Sequence, residues 1–534
     1  MISKGLYLER IVYNAKGGED TMPVKINSAT YRGIDGILVE VEVDVRKSIP
    51  SFSIVGLPST SIKESRERVK SAIINSGLKF PLGKIIINLA PSDIKKEGTL
   101  FDLPIAIAIL TLGGIIKSSD IEKFLILGEL SLNGELRGVK GILPIVIEAK
   151  KKGLKNFIIP YSNLNECSLI DKINIYPFAH LKEVINFLIF RDMLPATIDK
   201  KSYLNNQDEY NKIIDYNEVM GHESNKRALE IAAAGNHNIL LFGNPGSGKT
   251  MLANRLCTIL PSLTHDEILE NIKIYSVSGR LKENKIENIR PFRSPHHSAT
   301  VSAIVGGGKD LSVGEITLAH NGVLYLDEIL EFKKDVLESL RQPMEDKAIT
   351  VSRANGSVRY PSNFLLLASM NPCPCGFYLS SSKNRQCTCT FKDRKNYVSK
   401  LSGPILDRMD IFSYVAPLDF SELHSEKNKN ETSEIIKGRV EKAREIQRER
   451  FKRSKLRYNS ELNHAEILDQ IFLSKNVYNL LQKAYDKYSL TTRAYDKIIK
   501  LSRTIADLEG EENIREEHVG EAFQYRRFID NNVI

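Results

Sequence analysis

Residues 243–251 read Gly-Asn-Pro-Gly-Ser-Gly-Lys-Thr-Met and decide the fold. They follow the apolar run 239–242 and precede a helix-forming stretch, which is the strand–loop–helix context of a phosphate-binding loop. Glycines let backbone N–H groups converge on nucleotide phosphates, and the N-terminus of the next helix favours their negative charge. Lys249 is expected to contact the β- and γ-phosphates, and the Thr250 hydroxyl to ligate Mg²⁺. The predicted nucleotide-binding residues are Gly243, Asn244, Pro245, Gly246, Ser247, Gly248, Lys249, Thr250 and Met251.

A second segment indicates that the nucleotide is hydrolysed. The apolar run 322–326 ends in two adjacent carboxylates, Asp327 and Glu328. Asp327 is expected to hold Mg²⁺ directly or through water, and Glu328 to orient and polarise the attacking water. An acidic pair after a strand is also common at helix starts. The pair indicates hydrolysis here because it follows a phosphate-binding loop in the same chain. The predicted cofactors are ATP and Mg²⁺.

Length and composition describe a multidomain protein of ordinary globular character. A chain of 534 residues is expected to hold about three or four domains. The longest mostly apolar run, residues 103–116, is too short to span a bilayer, and residues 1–22 lack the apolar core of a signal peptide. We therefore expect a cytoplasmic protein. Because Met22 precedes the first predicted strand, residues 1–21 are either an upstream extension of the reading frame or a short N-terminal arm.

Hydrophobic periodicity divides the chain into five parts. The predicted fold is multidomain α/β, with an α+β domain first, a parallel α/β sheet in the centre and helices at the end. The predicted boundaries are an N-terminal extension (1–22), an α+β domain (23–190), a polar linker (191–212), an ATPase core (213–425) and a helical lid (426–534).

Several segments resemble the ComM/YifB family of magnesium-chelatase-like AAA+ ATPases. They occur in family order and include Val-Met-Gly-His (219–222), Arg-Pro-Phe-Arg-Ser-Pro-His-His (290–297), Ala-Ser-Met-Asn-Pro (368–372), Leu-Ser-Gly-Pro-Ile-Leu-Asp-Arg-Met-Asp (401–410) and Leu-Thr-Thr-Arg-Ala-Tyr (490–495). The resemblance implies that Asn371 is sensor 1, Arg408 an arginine finger for the neighbouring subunit and Arg493 sensor 2. Together with Glu328 these are the predicted catalytic residues. A finger that acts on a neighbour implies a closed homo-oligomeric ring, and the family implies six subunits.

Two insertions favour a motor that moves along DNA. The Gly-rich segment 302–314 is similar to the helix-2 insert of related ring helicases, and residues 349–360 alternate around Asn-Gly as in a β-hairpin. Lys309 and Arg353 would contact a DNA backbone there, or alternatively would be ordinary solvent-exposed charges. The net charge of +9 and the basic run 448–457 also favour an anionic partner, although such a run equally fits a solvated helix face.

Four cysteines form two close pairs, Cys373 with Cys375 and Cys387 with Cys389. Four thiolates at this spacing could hold a structural Zn²⁺ in a loop immediately after Asn371. The Cys-x-Cys spacer is shorter than the usual one, and thiols without a metal are the alternative. Disulfides are not expected in a reducing compartment.

Residues 23–190 contain Val-Gly-Leu-Pro (55–58), Phe-Asp-Leu-Pro (101–104) and Gly-Glu-Leu-Ser-Leu-Asn-Gly (128–134). These segments resemble the Lon-protease-like domain of the same family. Lon-type proteolysis needs a serine nucleophile and a lysine base, but alignment places Leu100 and Leu143 at those two positions. Leucine can neither attack a peptide bond nor accept a proton, so a binding or scaffolding role is expected.

The function that the resemblance implies is an ATP-driven ring motor on single-stranded or branched DNA. It would be a helicase that promotes branch migration in recombination and natural transformation. The alternative is a remodelling ATPase of the MoxR or magnesium-chelatase type that acts on a protein partner.

Overall fold

The computed structural model describes residues 23–46, 48–96, 98–167, 169–196, 214–281, 289–308, 312–353, 356–379, 386–418 and 430–526. The chain divides into two units. Unit 1 comprises residues 1–205 and 268–287, and unit 2 comprises residues 206–267 and 288–534. The predicted N-terminal extension and most of the predicted linker lie outside the described residues.

Strands and helices alternate along much of the chain. The strands are β1 (Val24–Arg32), β2 (Asp35–Arg46), β3 (Ser51–Val55), β4 (Lys84–Ala90), β5 (Phe124–Ile126), β6 (Glu129–Leu130), β7 (Leu136–Arg137), β8 (Asn156–Pro160), β9 (Asn174–Phe178), β10 (Ile239–Gly243), β11 (Phe292–Arg293), β12 (Gly306–Gly307), β13 (Ser312–Val313), β14 (Val323–Leu326), β15 (Ala348–Arg353), β16 (Gly356–Pro361), β17 (Leu365–Met370) and β18 (Ile411–Val415). The helices are α1 (Thr60–Lys63), α2 (Ser65–Asn75), α3 (Asp102–Leu112), α4 (Ile142–Lys151), α5 (Leu181–Phe190), α6 (Glu223–Gly235), α7 (Lys249–Ile259), α8 (His265–Ser278), α9 (Val301–Val305), α10 (Glu315–Leu318), α11 (Lys334–Ser339), α12 (Arg341–Asp346), α13 (Phe391–Val398), α14 (Gly403–Leu406), α15 (Ser433–Arg450), α16 (His464–Gln470), α17 (Lys475–Tyr488), α18 (Thr492–Glu509) and α19 (Glu516–Gln524).

Unit 1 is built on a mixed seven-stranded sheet with the order β3-β4-β2-β1-β5-β8-β9. β2 alternates apolar and polar residues, so one face is buried through Val39, Val41 and Val43. α3 is apolar except for Asp102 and Thr111, and its residues 102–111 are buried. Leu100 and Leu143 also lie inside, 1% and 0% exposed.

Residues 268–287 belong to unit 1 although they interrupt the sequence of the ATPase core. They join unit 1 through hydrogen bonds. Ser276 Oγ donates to Glu166 Oε2 at 2.7 Å, and Asn163 Nδ2 donates to Glu166 Oε1 at 2.5 Å. Burial raises the pKa of Glu166. The sequence places residues 268–287 in the predicted ATPase core, because their partners in unit 1 lie far away in the chain and leave no local pattern.

Unit 2 contains a five-stranded sheet with the order β11-β14-β17-β10-β18, in which every pairing is parallel. Its strands are short apolar runs because helices cover a parallel sheet on both faces. The multidomain α/β fold with a parallel sheet is thereby confirmed. From residue 430 onward the described chain is helical. α18 packs on α15 and on α19, and α15 and α18 both pack on α6.

The predicted hairpin in the second insertion is confirmed as β15 paired antiparallel with β16, with Val351 opposite Val358. The Gly-rich insertion is less irregular than its sequence indicates, since β12 and β13 form a short antiparallel ladder at its base. Lys309 and the side chain of Arg353 lie outside the described residues. Among the helices that the structure describes, none combines the length and apolarity needed to cross a bilayer.

Part of the basic run at the end of α15 has a structural role. Arg450 donates to Asp507 at 2.5 Å and to Asn459 at 2.9 Å. The Asp507 side chain is fully buried, so the pair ties α15 to α18 inside the lid. Lys452 lies on the surface beside Glu449. These two basic residues therefore have carboxylate partners within the protein.

Candidate nucleotide site

The phosphate loop lies at the edge of the sheet where the parallel strands β10, β14 and β17 end. β10 runs between β17 and β18, with Phe242 opposite Met370, and β14 pairs with β17, with Leu326 opposite Ala368. Because all these strands point the same way, the residues that follow them meet at one edge of the sheet. The loop, the acidic pair and Asn371 are consequently neighbours.

The loop has the backbone that phosphate binding requires. Gly246 and Gly248 adopt positive φ angles of 76° and 93°, which a residue with a Cβ atom adopts only with strain. Gly248 caps α7, so the first N–H groups of that helix face the loop. On the neighbouring strand, the Tyr414 hydroxyl donates to Asn244 Oδ1 at 3.3 Å.

Lys249 is 9% exposed and lies within the loop that precedes it. Its Nζ donates to the carbonyls of Gly243 and Asn244 at 2.7 and 2.9 Å and to Asn371 Oδ1 at 3.2 Å. Burial lowers the pKa of Lys249, and the Asp327 carboxylate opposes that shift. The contact between Lys249 and Asn371 places a cation and a neutral amide side by side, as a γ-phosphate site needs.

The acidic pair is organised by a residue that sequence reasoning missed. Ser369, fully buried on β17, donates its hydroxyl hydrogen to Asp327 and accepts a hydrogen bond from the Glu328 backbone N–H at 3.1 Å. Asp327 Oδ2 in turn accepts from Thr250 Oγ1 at 3.2 Å. A hydroxyl and a carboxylate this close are suitable ligands for Mg²⁺. Ser369 could have been identified only from the pairing of β14 with β17. Leu326 pairs with Ala368, so the next residues, Asp327 and Ser369, are neighbours.

Glu328 differs from Asp327 in exposure and backbone geometry. Its φ is 51°, in the left-handed region that glutamate seldom occupies, and its side chain is exposed at the edge of the site. Such strain costs about 1–3 kcal/mol and occurs preferentially at functional positions. The Glu328 carboxylate acts with that of Asp327 to oppose the lowered pKa of Lys249, so it lies near the phosphate loop.

Arg408 and Arg493 have partners away from the phosphate loop. Arg408 donates to the carboxylate of Glu345 on α12 and to the Pro404 carbonyl at 2.5 Å, and its side chain is 13% exposed. Arg493 lies in the first turn of α18, 3.7 Å from Asp407, and is 70% exposed. The described structure thus sets the two arginines in one region of unit 2, on either side of Asp407.

The four cysteines converge although their two pairs lie in separate segments. Their Sγ atoms all lie within 4.8 Å of one another, and Cys373 is 3.7 Å from Cys387. Four thiolates about 2.3 Å from a tetrahedral zinc have Sγ atoms about 3.8 Å apart, so this donor set fits the ion. Residues 380–385 of the loop lie outside the described range.

The cysteine loop packs directly on the phosphate loop. Gly376 has a φ of 82°, and a Cβ atom there would lie 2.7 Å from the ring of Pro245. The Tyr414 hydroxyl lies 2.9 Å from the Leu379 carbonyl while also contacting Asn244. A metal that fixes the cysteine loop would therefore also support the phosphate loop.

We propose that the four cysteines hold a Zn²⁺, and we expect its removal to weaken ATP binding several-fold. Replacing Cys387 and Cys389 with serine takes away two ligands, loosens the contact between Gly376 and Pro245 and lowers the zinc content from one ion per chain. Elemental analysis and nucleotide titration measure the two effects. Cys257→Ala is the control, since that cysteine lies outside the cluster. Purified protein without zinc, or with ATP affinity indifferent to its loss, would contradict this role.

Three family profiles match the chain in succession. They are described as subunit ChlI of Mg-chelatase (residues 41–163), magnesium chelatase, subunit ChlI (215–423), and magnesium chelatase, subunit ChlI C-terminal (430–526). The competence protein ComM of Haemophilus influenzae is 41% identical over 507 residues, which is 94% of this chain and 97% of that protein. YifB of Escherichia coli is 41% identical over 497 residues, 92% of this chain and 95% of that protein. The magnesium-chelatase 38 kDa subunit of Rhodobacter capsulatus is 25% identical over 180 residues, 30% of this chain and 51% of that protein.

These similarities define a magnesium-chelatase-like protein, in agreement with the phosphate loop at the edge of a parallel sheet. Within that class, full-length similarity is to ComM and YifB, and the chain belongs to the ComM/YifB family.

Proposed function

We propose that this protein is an ATP-hydrolysing ring motor that acts on DNA, a helicase that promotes branch migration. The observation that carries the ATPase part is the convergence of Lys249 and Asn371 on one side and of Thr250, Asp327 and Glu328 on the other. These groups match the parts that phosphoryl transfer to water requires.

Each residue has a distinct role in the proposed reaction. The Lys249 ammonium and the loop N–H groups bind the β- and γ-phosphates, and Asn371 donates its amide hydrogen to the γ-phosphate or the attacking water. Glu328 accepts the proton of that water as the oxygen attacks phosphorus and the bond to the ADP oxygen breaks. Mg²⁺ held by Thr250 and Asp327 would neutralise phosphate charge.

The proposed ring of subunits rests on the proposed role of Arg408 as an arginine finger. A finger that completes a neighbour's site requires a heterologous interface, and such an interface closes into a ring or extends into a filament. In the described structure Arg408 lies against Glu345 of its own chain, so it has to leave that carboxylate to reach a neighbour's γ-phosphate. We propose six subunits in line with the family.

DNA as the partner is supported by three features. The β15–β16 hairpin carries Arg353 beside its turn, the chain has a net charge of +9, and a full-length relative is named a competence protein. Phosphate contacts by basic residues dominate the affinity for DNA and make it sensitive to salt. We propose Arg353 and Lys309 as two such contacts.

We expect single-stranded or branched DNA to stimulate ATP turnover several-fold, and Arg353→Ala to abolish most of that stimulation. Arg359→Ala is the matched control, because Arg359 is exposed on the same hairpin but pairs opposite Thr350, away from the turn. Phosphate release measured with and without a four-way junction gives the answer. Turnover indifferent to every DNA, with both variants equal to the wild type, would contradict DNA as the substrate.

A remodelling ATPase that acts on a protein is the second candidate, favoured by the three magnesium-chelatase profiles. It predicts ATP turnover stimulated by a protein partner that remains bound after nuclease treatment. The DNA-stimulation assay above separates the two candidates.

A further inference from the structure

The segment that carries Arg408 is bound to the lid of its own chain through a buried lysine. Lys497 Nζ donates to the carbonyl of Asp407 and to that of Met409, the latter at 2.8 Å. The same ammonium lies 3.2 Å from Asp410 Oδ1, and the two side chains are only 13% and 12% exposed. One cation therefore holds the backbone on both sides of Arg408.

Charge and burial both stabilise the contact of Lys497 with residues 407–410. Burial lowers the pKa of Lys497 to about 8, with the Asp410 carboxylate acting against that shift, so the ammonium is charged at neutral pH. Asp410 also faces the ring of His237 at 3.5 Å, and Lys500 lies nearby on α18. Arg526, after α19, donates to the Met409 carbonyl at 3.2 Å. Separating Lys497 from this segment would leave a buried charge unpaired, which is costly.

Lys497 and Arg493 lie four residues apart on α18 and so share one face of the helix. Arg493 approaches the Asp407 side chain, whereas Lys497 binds the Asp407 backbone. A rotation or shift of α18 would consequently displace the backbone of Arg408. It would also change the distance from Arg408 to Glu345, because that contact joins the segment to α12.

We propose that Lys497 is a positioning residue that couples the lid of one protomer to the arginine it presents to the next. The proposal rests on the proposed ring ATPase with Arg408 acting on a neighbour. Lys497 transmits a movement of α18 to the backbone at Asp407 and Met409, and thereby sets whether Arg408 stays on Glu345 or extends. The coupling is directional, since Lys497 affects the neighbour's site more than its own.

The test uses mixed rings of two inactive variants. Glu328→Gln protomers retain Arg408 but cannot hydrolyse ATP, and Arg408→Ala protomers retain a complete loop and acidic pair but lack the finger. Mixed in equal amounts, they are expected to recover turnover at interfaces where the first variant supplies Arg408 to the second. Failure to recover any turnover would overturn the proposed function itself.

Lys497→Met is then added to one partner at a time. In the finger-supplying protomer it is expected to lower the recovered turnover by about tenfold to a hundredfold, since a displacement of about 1 Å costs that much. In the Arg408→Ala protomer the same change should lower turnover less than threefold. Equal losses in both positions, or no loss in the finger-supplying protomer, would overturn the role of Lys497.

Two further variants separate positioning from folding. Lys487→Met removes an exposed lysine of α17 whose ammonium lies 5.4 Å from the centre of the Tyr488 ring, and it should leave the recovery unchanged. Lys497→Met combined with Asp410→Asn removes both buried charges and avoids an unpaired carboxylate. This double variant should fold and still show the loss only in the finger-supplying protomer; recovery of full turnover would contradict the proposal.

Discussion

Glu328→Gln is expected to reduce ATP turnover by about 10²–10⁴-fold, the usual contribution of a general base, while ATP binding stays intact. Glutamine keeps the shape of the side chain but cannot accept the proton of the attacking water. The groups expected to bind phosphate and Mg²⁺ do not depend on this carboxylate, because Lys249 contacts Asn371 and Thr250 contacts Asp327. Single-turnover phosphate release and nucleotide titration measure the two quantities separately.

Glu331→Gln is the matched control for that experiment. Glu331 is exposed three residues further on and lies 3.9 Å from Lys400. Its replacement should leave turnover close to that of the wild type. If Glu328→Gln retained full turnover, or if it lost ATP binding to the same extent as hydrolysis, Glu328 would not be the base.

Arg408→Ala is expected to lower turnover by about 10³–10⁵-fold, the range observed for arginine fingers. The loss should fall on the chemical step, since in the described structure Arg408 contacts Glu345 and Pro404 and not the phosphate loop. Turnover of the wild type should also rise with protein concentration, because in the proposed ring a neighbour would complete each site. Rates per chain across a dilution series and after mixing with inactive protomers measure this dependence.

Arg341→Ala provides the comparison. Arg341 lies on α12, the helix that also carries Glu345, and its guanidinium pairs with Glu338. An exposed pair of this kind contributes little, so the variant should behave like the wild type. Unchanged turnover in Arg408→Ala, or a rate per chain independent of dilution, would rule out a finger that acts between subunits.

The convergence of the candidate site residues was predictable in outline because they belong to local motifs on parallel strands. The phosphate loop, the acidic pair and Asn371 each follow an apolar run, and parallel strands bring such positions to one edge. Ser369 was missed because its role depends on register with β14. The hairpin around Asn-Gly, in contrast to Ser369, was predictable because its two strands are neighbours in sequence.

The surroundings of Arg408 could not be predicted from the sequence. Its contact with Glu345 spans 63 residues, and that of Lys497 with the Met409 carbonyl spans 88. Ion pairs at such separations depend on how α12, α14 and α18 pack, which no periodicity reveals. The grouping of residues 268–287 with unit 1 is hidden in the same way, because the partner of Ser276 lies 110 residues away.

The burial of Leu100 and Leu143 restricts which side chains unit 1 can tolerate at these two positions. A serine at the first position would open a cavity at a cost of about 2–5 kcal/mol, and a lysine at the second would put an unpaired charge in the core. Either change alone would destabilise unit 1. Substitutions that introduce a nucleophile or a base at these positions therefore compete directly with folding.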